Sequence, residues 1–101
     1  METKKLTLVL LPGLNGTAGL FEPLLSVATD EYELIVISYP TDVMKSYEEL
    51  TADVLQKISH INGRFILIGE SFSGPIAILL SAQNISGHMG TILVATFASA
   101  P

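Results

Sequence analysis

Cysteine is absent from this chain. Disulfides, thiolate metal centres and cysteine nucleophiles are therefore excluded, and a reducing, cytoplasmic setting is the expectation. Basic residues are scarce: five Lys and Arg stand against ten Asp and Glu, for a net charge of -5. Phosphate backbones are bound by clustered Lys and Arg, so no nucleic-acid partner is expected. Long apolar runs are also missing. None approaches the roughly 18–20 residues of a membrane span, so no transmembrane segment is expected. Lys4-Lys5 followed by Leu6–Leu11 imitates the start of a signal peptide. The apolar stretch is short, Pro12-Gly13 breaks it and no cleavage box follows, so it reads as a strand. No Asp, Glu and His cluster has metal-ligand spacing, and no metal is expected.

What is present is apolar for so short a chain. The 101 residues, enough for one small domain, are 49% hydrophobic and 15% charged. Strands buried on both faces of a parallel sheet produce such unbroken apolar runs. The chain alternates these runs with amphipathic stretches. Strands are expected at Leu6–Leu11, Glu33–Ser38, Arg64–Ile68 and Met89–Ala95. A first helix is expected over Leu20–Ala28, with Phe21, Leu24, Leu25 and Ala28 on one face. A second opens at Ser46, with Glu49 three residues on as in a capping box, and buries Tyr47, Leu50, Val54, Leu55 and Ile58. A third runs over Phe72–Ala82, with Pro75 in its first turn. Strands and helices alternating at this spacing make βαβ units, an α/β fold with a parallel sheet. Sites in such folds lie at the carboxyl edge of the sheet, just after strands.

The strongest motif is Gly69-Glu70-Ser71-Phe72-Ser73-Gly74, placed between a strand and a helix. It is a variant of the nucleophile elbow, small-x-Ser-x-small. A sharp strand-to-helix turn exposes the serine hydroxyl, and side chains two residues to either side must be small to avoid collision. Gly69 and Ser73 meet that condition. Ser73 replaces the usual glycine but is small enough. Taking Ser73 itself as the nucleophile fails, because Pro75 would then fill a position that must be small. Ser71 at a helix N-terminus also has a dipole favourable to developing negative charge.

The second motif is Pro12-Gly13-Leu14-Asn15-Gly16, after the first strand. Acyl transfer through a serine needs two backbone N–H donors for the oxyanion. One comes from the residue after the nucleophile, Phe72, and the other from a loop after an earlier strand. Leu14 is the candidate for the second, with Gly13 and Asn15 supporting the loop. Two other readings stand beside this one. Gly13, Gly16 and Gly19 could cradle a phosphate, although their spacing fits neither nucleotide-binding glycine pattern. The loop could also be a plain tight turn.

Together, Leu11–Thr17, Tyr39-Pro40, Ser46–Leu50 and Gly69–Gly74 resemble bacterial α/β-hydrolase-fold proteins of the esterase/lipase-like type. The similarity spans nearly the whole chain. It implies a three-layer sandwich whose strands lie in the order second-first-third-fourth. It implies hydrolysis of a carboxylic ester or thioester through a Ser71 acyl-enzyme, with no cofactor. Acyl transfer on the same elbow is the alternative chemistry. It also implies a Ser-Asp/Glu-His triad in that chain order and a sheet of more than four strands. On this reading residues 1–101 are the N-terminal portion of the domain, truncated after the fourth strand.

The histidines present do not complete a triad. By βαβ polarity, His60 and His88 both fall at the amino edge. About 11 helical residues at 1.5 Å each put His88 roughly 15–20 Å from Ser71, whereas proton transfer needs about 3 Å. Both read as surface histidines. Asp42 and Glu22 lie nearer the carboxyl edge as solvated acids, and Glu70 is expected to point away from the nucleophile. A non-catalytic fragment of such an enzyme is therefore the rival from a different class. The fourth strand, Thr91–Ala95, carries no charge to deter edge pairing, so self-association is expected.

Overall fold

The fold is described from a computed structural model, over residues 5–13, 32–39 and 44–94. Strands β1 (Leu6–Leu11), β2 (Tyr32–Val36), β3 (Phe65–Glu70) and β4 (His88–Val94) form one sheet in the order β2-β1-β3-β4. Every pairing is parallel. Helices α1 (Tyr47–Ile58) and α2 (Gly74–Ser81) connect the strands, and a single 3₁₀ turn, Ser71–Ser73, links β3 to α2. The α/β class and the strand order agree with the expectation. The helix expected at Leu20–Ala28, and with it the third layer, lies outside the described residues.

Sequence patterning accounts for the register. Val9 pairs with Ile35 on one side and Leu67 on the other, while Leu10 pairs with Val36 and Ile68. Successive side chains alternate faces, so each pairing row presents one apolar layer. Val9, Leu11, Phe65 and Leu67 meet Leu50, Val54 and Ile58 of α1 and Ile76, Ala77 and Leu80 of α2 in the main core. Leu10 and Ile68 point the other way and pack with Leu8, Ile66 and Val94. The two central strands thus bury both faces, which explains their unbroken apolar runs.

Four elements differ in their bounds from the sequence reading, and one of them, β3, spans Phe65–Glu70 rather than Arg64–Ile68 because its pairing with β1 and β4 runs on to Gly69 and Glu70. β2 begins at Tyr32 and ends at Val36, but Ile37 N–H still donates to Leu10 O at 2.9 Å, so pairing continues one residue further. β4 begins one residue early, at His88. Its start is bulged, since His88 faces Phe65 while Gly90 faces Ile66, leaving Met89 as the extra residue. The third helix is α-helical only from Gly74, not Phe72. Pro75 has no N–H to offer the Ser71 carbonyl, and Gly74 N–H bonds it instead, giving the tighter 3₁₀ turn.

The start of α1 behaves as its sequence dictates. Ser46 Oγ accepts Glu49 N–H at 3.1 Å, and Ser46 N–H donates to Glu49 Oε1 at 2.9 Å, a complete capping box. Leu50, Val54 and Ile58 are buried as expected, while Tyr47 and Leu55 lie at the margin of the core. Replacing Ser46 with Ala removes the hydroxyl that accepts the Glu49 N–H, while the backbone N–H of residue 46 can still donate to Glu49 Oε1. Ser46→Ala is expected to lower stability by about 1 kcal/mol, read as a lower urea midpoint at unchanged slope.

Candidate active site

Because the strands are parallel, β1, β2 and β3 all deliver their following residues to the same edge. Pro12-Gly13 follows β1, Tyr39 lies just past β2 and Ser71 follows β3. Ser71 has φ +51°, in the left-handed region. That conformation costs a non-glycine residue roughly 1–2 kcal/mol, and such strain concentrates at functional sites. Among the described non-glycine residues only Asn84, with φ +52°, shares it. Asparagine at a helix C-terminus adopts it routinely, so Ser71 is the one that calls for a reason.

The surroundings show how the turn is held. A Cβ on Gly69 would sit 2.9 Å from the Ala77 Cβ and 3.1 Å from the Ser73 carbonyl oxygen. The absence of a side chain therefore lets α2 close directly on β3. Two residues after Ser71, Ser73 is fully buried, and its hydroxyl donates to the Pro12 carbonyl. A serine has one hydroxyl proton, so the 2.6 Å contact with Tyr39 must be Tyr39 O–H donating to Ser73 Oγ. Burial raises the Tyr39 pKa to about 12, against a smaller lowering by the Ser73 hydrogen bond, so the phenol remains a donor at neutral pH. Serine in place of the usual glycine thus has a structural use, joining the elbow to β1 and to the end of β2.

Phe72 extends the cluster. Its ring meets Tyr39 edge-on, with centroids 5.9 Å apart and planes at 78°, and lies 5.2 Å from Tyr47. On the other side of the turn, the Glu70 carboxylate accepts Gly13 N–H at 3.0 Å. A Cβ on Gly13 would stand in ordinary contact with that carboxylate at 3.5 Å. What Gly13 contributes here is its N–H rather than its missing side chain. Sequence reasoning gave neither Glu70 nor Tyr39 a role. Adjacency to Ser71 was the only signal for Glu70, and for Tyr39 the Tyr-Pro pair after a strand.

Ser71, Phe72, Gly69, Ser73 and Gly13 therefore gather at one edge. Leu14 and Asn15, and with Leu14 the expected convergence on the Phe72 N–H, lie outside the described residues, as do Asp42 and Glu22. The chain's two histidines lie elsewhere. His60 follows the C-terminus of α1, exposed. His88 pairs with Phe65, at the far end of β3 from Ser71, roughly 20 Å away at the usual strand rise. The bulge at Met89 turns His88 and Thr91 to one face, where His88 Nε2 lies 2.9 Å from Thr91 Oγ1. Ser81 donates to Ala77 O, so Thr91 must donate to Ser81, and His88 Nε2 must carry the proton given to Thr91. His88 is thus tied into the α2–β4 contact. Among the described residues no group of three His, Asp or Glu could hold a metal ion, and no helix is long and apolar enough to cross a membrane.

No protein-family model matches the chain, and neither a curated protein nor a solved structure matches it.

The buried phenol carries a pH consequence. Its folded pKa of about 12 lies above the ordinary 10.0. The unfolded chain therefore loses this proton first as pH rises, and Tyr39's contribution is complete below pH 10 and declines toward pH 12. Phenolate absorbance should show one tyrosine ionising near the upper limit in the native protein, absent in Tyr39→Phe. Ordinary titration of every tyrosine in the native protein would contradict the donor role.

Proposed function

We propose that this chain supplies the nucleophile and oxyanion side of a serine hydrolase acting on a carboxylic ester or thioester. The single observation that carries the reading is Ser71 at φ +51° directly between β3 and α2, with Gly69 at the close strand–helix contact. A hydroxyl held at such a turn stands clear of the sheet's carboxyl edge. In this reading the Ser71 oxygen attacks the acyl carbonyl and forms an acyl-enzyme as the alcohol or thiol departs. The Phe72 N–H, with that of Leu14, takes the oxyanion. Transfer of the acyl group to an acceptor other than water uses the same residues. The α/β-hydrolase architecture remains a resemblance carried by the motifs. A cytoplasmic setting suits a chain without cysteine.

The position of both histidines supports a second statement: neither His60 nor His88 stands where it could serve as the general base to Ser71. Removing the base of a triad removes most of the rate, while donors alone retain some acceleration. Purified protein is therefore expected to show little or no ester turnover. At mildly alkaline pH, hydroxide stands in for the base. A p-nitrophenyl ester should then acylate Ser71 ahead of the other serines, as read by peptide mass spectrometry, and Ser71→Ala should abolish that adduct. Indiscriminate acylation of serines would sink the nucleophile reading. Turnover at ordinary enzyme rates, lost in Ser71→Ala, would return His60 and His88 to consideration.

The same reading includes self-association through β4. That strand has no Asp, Glu, Lys or Arg, lies at the sheet edge, and exposes Met89, Ile92 and Leu93 at 59%, 51% and 43%. Unprotected edges of this kind pair with further strands. Sedimentation velocity should show dimers or larger species that Ile92→Lys returns toward monomer. A wild-type chain that stays monomeric at high concentration would refute it.

A further inference from the structure

The Pro12 carbonyl and the Gly13 N–H belong to one peptide group, and the elbow holds both of its ends. Ser73, two residues after Ser71, donates its hydroxyl to the Pro12 carbonyl. Glu70, immediately before Ser71, accepts the Gly13 N–H at 3.0 Å. In a trans peptide the carbonyl and the N–H point in opposite directions. One bond on each side therefore fixes the plane, and rotating the group would break both. Tyr39 completes the arrangement by donating to Ser73 Oγ at 2.6 Å, which leaves the single Ser73 proton for Pro12.

We propose that Glu70 and Ser73, with Tyr39 behind Ser73, are positioning residues that lock the Pro12–Gly13 peptide and thereby set where the loop after β1 stands against Ser71. The catalytic meaning of this lock rests on the serine hydrolase reading; the lock itself does not. It has one direct consequence for that reading. The Gly13 N–H is occupied by Glu70 and is not an oxyanion donor, so any donor from this loop comes after Gly13. The bond to Glu70 is charge-assisted and so among the stronger kinds. Glutamine at that position keeps an acceptor oxygen, whereas alanine keeps none.

The test uses the whole 101-residue chain and two readouts. In Glu70→Ala, amide exchange at Gly13 should accelerate by about tenfold or more, with the Leu67 amide in the centre of the sheet unchanged. Glu70→Gln should recover most of the protection. Acylation of Ser71 by the p-nitrophenyl ester should fall about tenfold in Glu70→Ala and be largely restored in Glu70→Gln. Unchanged Gly13 exchange in Glu70→Ala overturns the lock. So does equal acceleration at Leu67, which marks general loosening. Faster Gly13 exchange with unaltered Ser71 acylation overturns the positioning role and leaves the hydrolase reading standing. If wild-type Ser71 is not acylated ahead of other serines, the hydrolase reading fails and the exchange ratio alone decides the lock. Ser73→Ala strands a buried carbonyl and a buried phenol; should it fail to fold, the Glu70 pair of variants still decides.

Discussion

The left-handed turn at Ser71 is the constraint on which the site depends. A serine at φ +51° is held there by its surroundings rather than by its own preference. The restraint is steric before it is polar. With no side chain on Gly69, α2 lies against β3 closely enough that an added Cβ would meet Ala77 at 2.9 Å. Leu67, Ile76, Ala77 and Leu80 are fully buried around that contact. Burying a side chain of leucine size contributes roughly 1.5–3 kcal/mol, so a few such residues outweigh the strain of one turn.

Polar groups then give the turn its direction. Ser73 is fully buried and would be costly if its hydroxyl lacked partners. It has a carbonyl to donate to and a phenol to accept from, and these come from the segments after β1 and β2. Among the described residues no buried side-chain nitrogen or oxygen lacks a hydrogen-bond partner. At the opposite edge, the His88–Thr91–Ser81 chain fastens β4 to α2. The two edges thus differ in kind. One gathers residues from three strands around a strained serine, and the other uses its histidine to hold the bulged start of a strand.

Much of this was legible in the sequence. The apolar runs of β1 and β3 announce strands because burial on both faces leaves no alternation to obscure them. The Ser46–Glu49 box marks the start of α1 within a single turn of chain. The elbow was readable because its demand for small residues falls at fixed offsets from Ser71. The placement of both histidines at the far edge followed from chain polarity alone.

What the sequence by itself determined is therefore what local spacing encodes: the order and type of the described elements, the cap, the small residues on either side of Ser71 and the edge to which each described site residue goes. Tertiary structure alone decided the partners. Glu70 and Gly13 are 57 positions apart, and Tyr39 and Ser73 are 34 apart. No local rule connects such pairs, because a glutamate or a tyrosine reads the same whether it faces solvent or a backbone amide. The bulge at Met89 is likewise a product of pairing, since an extra residue exists only relative to the strand beside it. Those contacts arise when parallel strands bring distant segments to a common edge, and there the position of Ser71 among its neighbours is set.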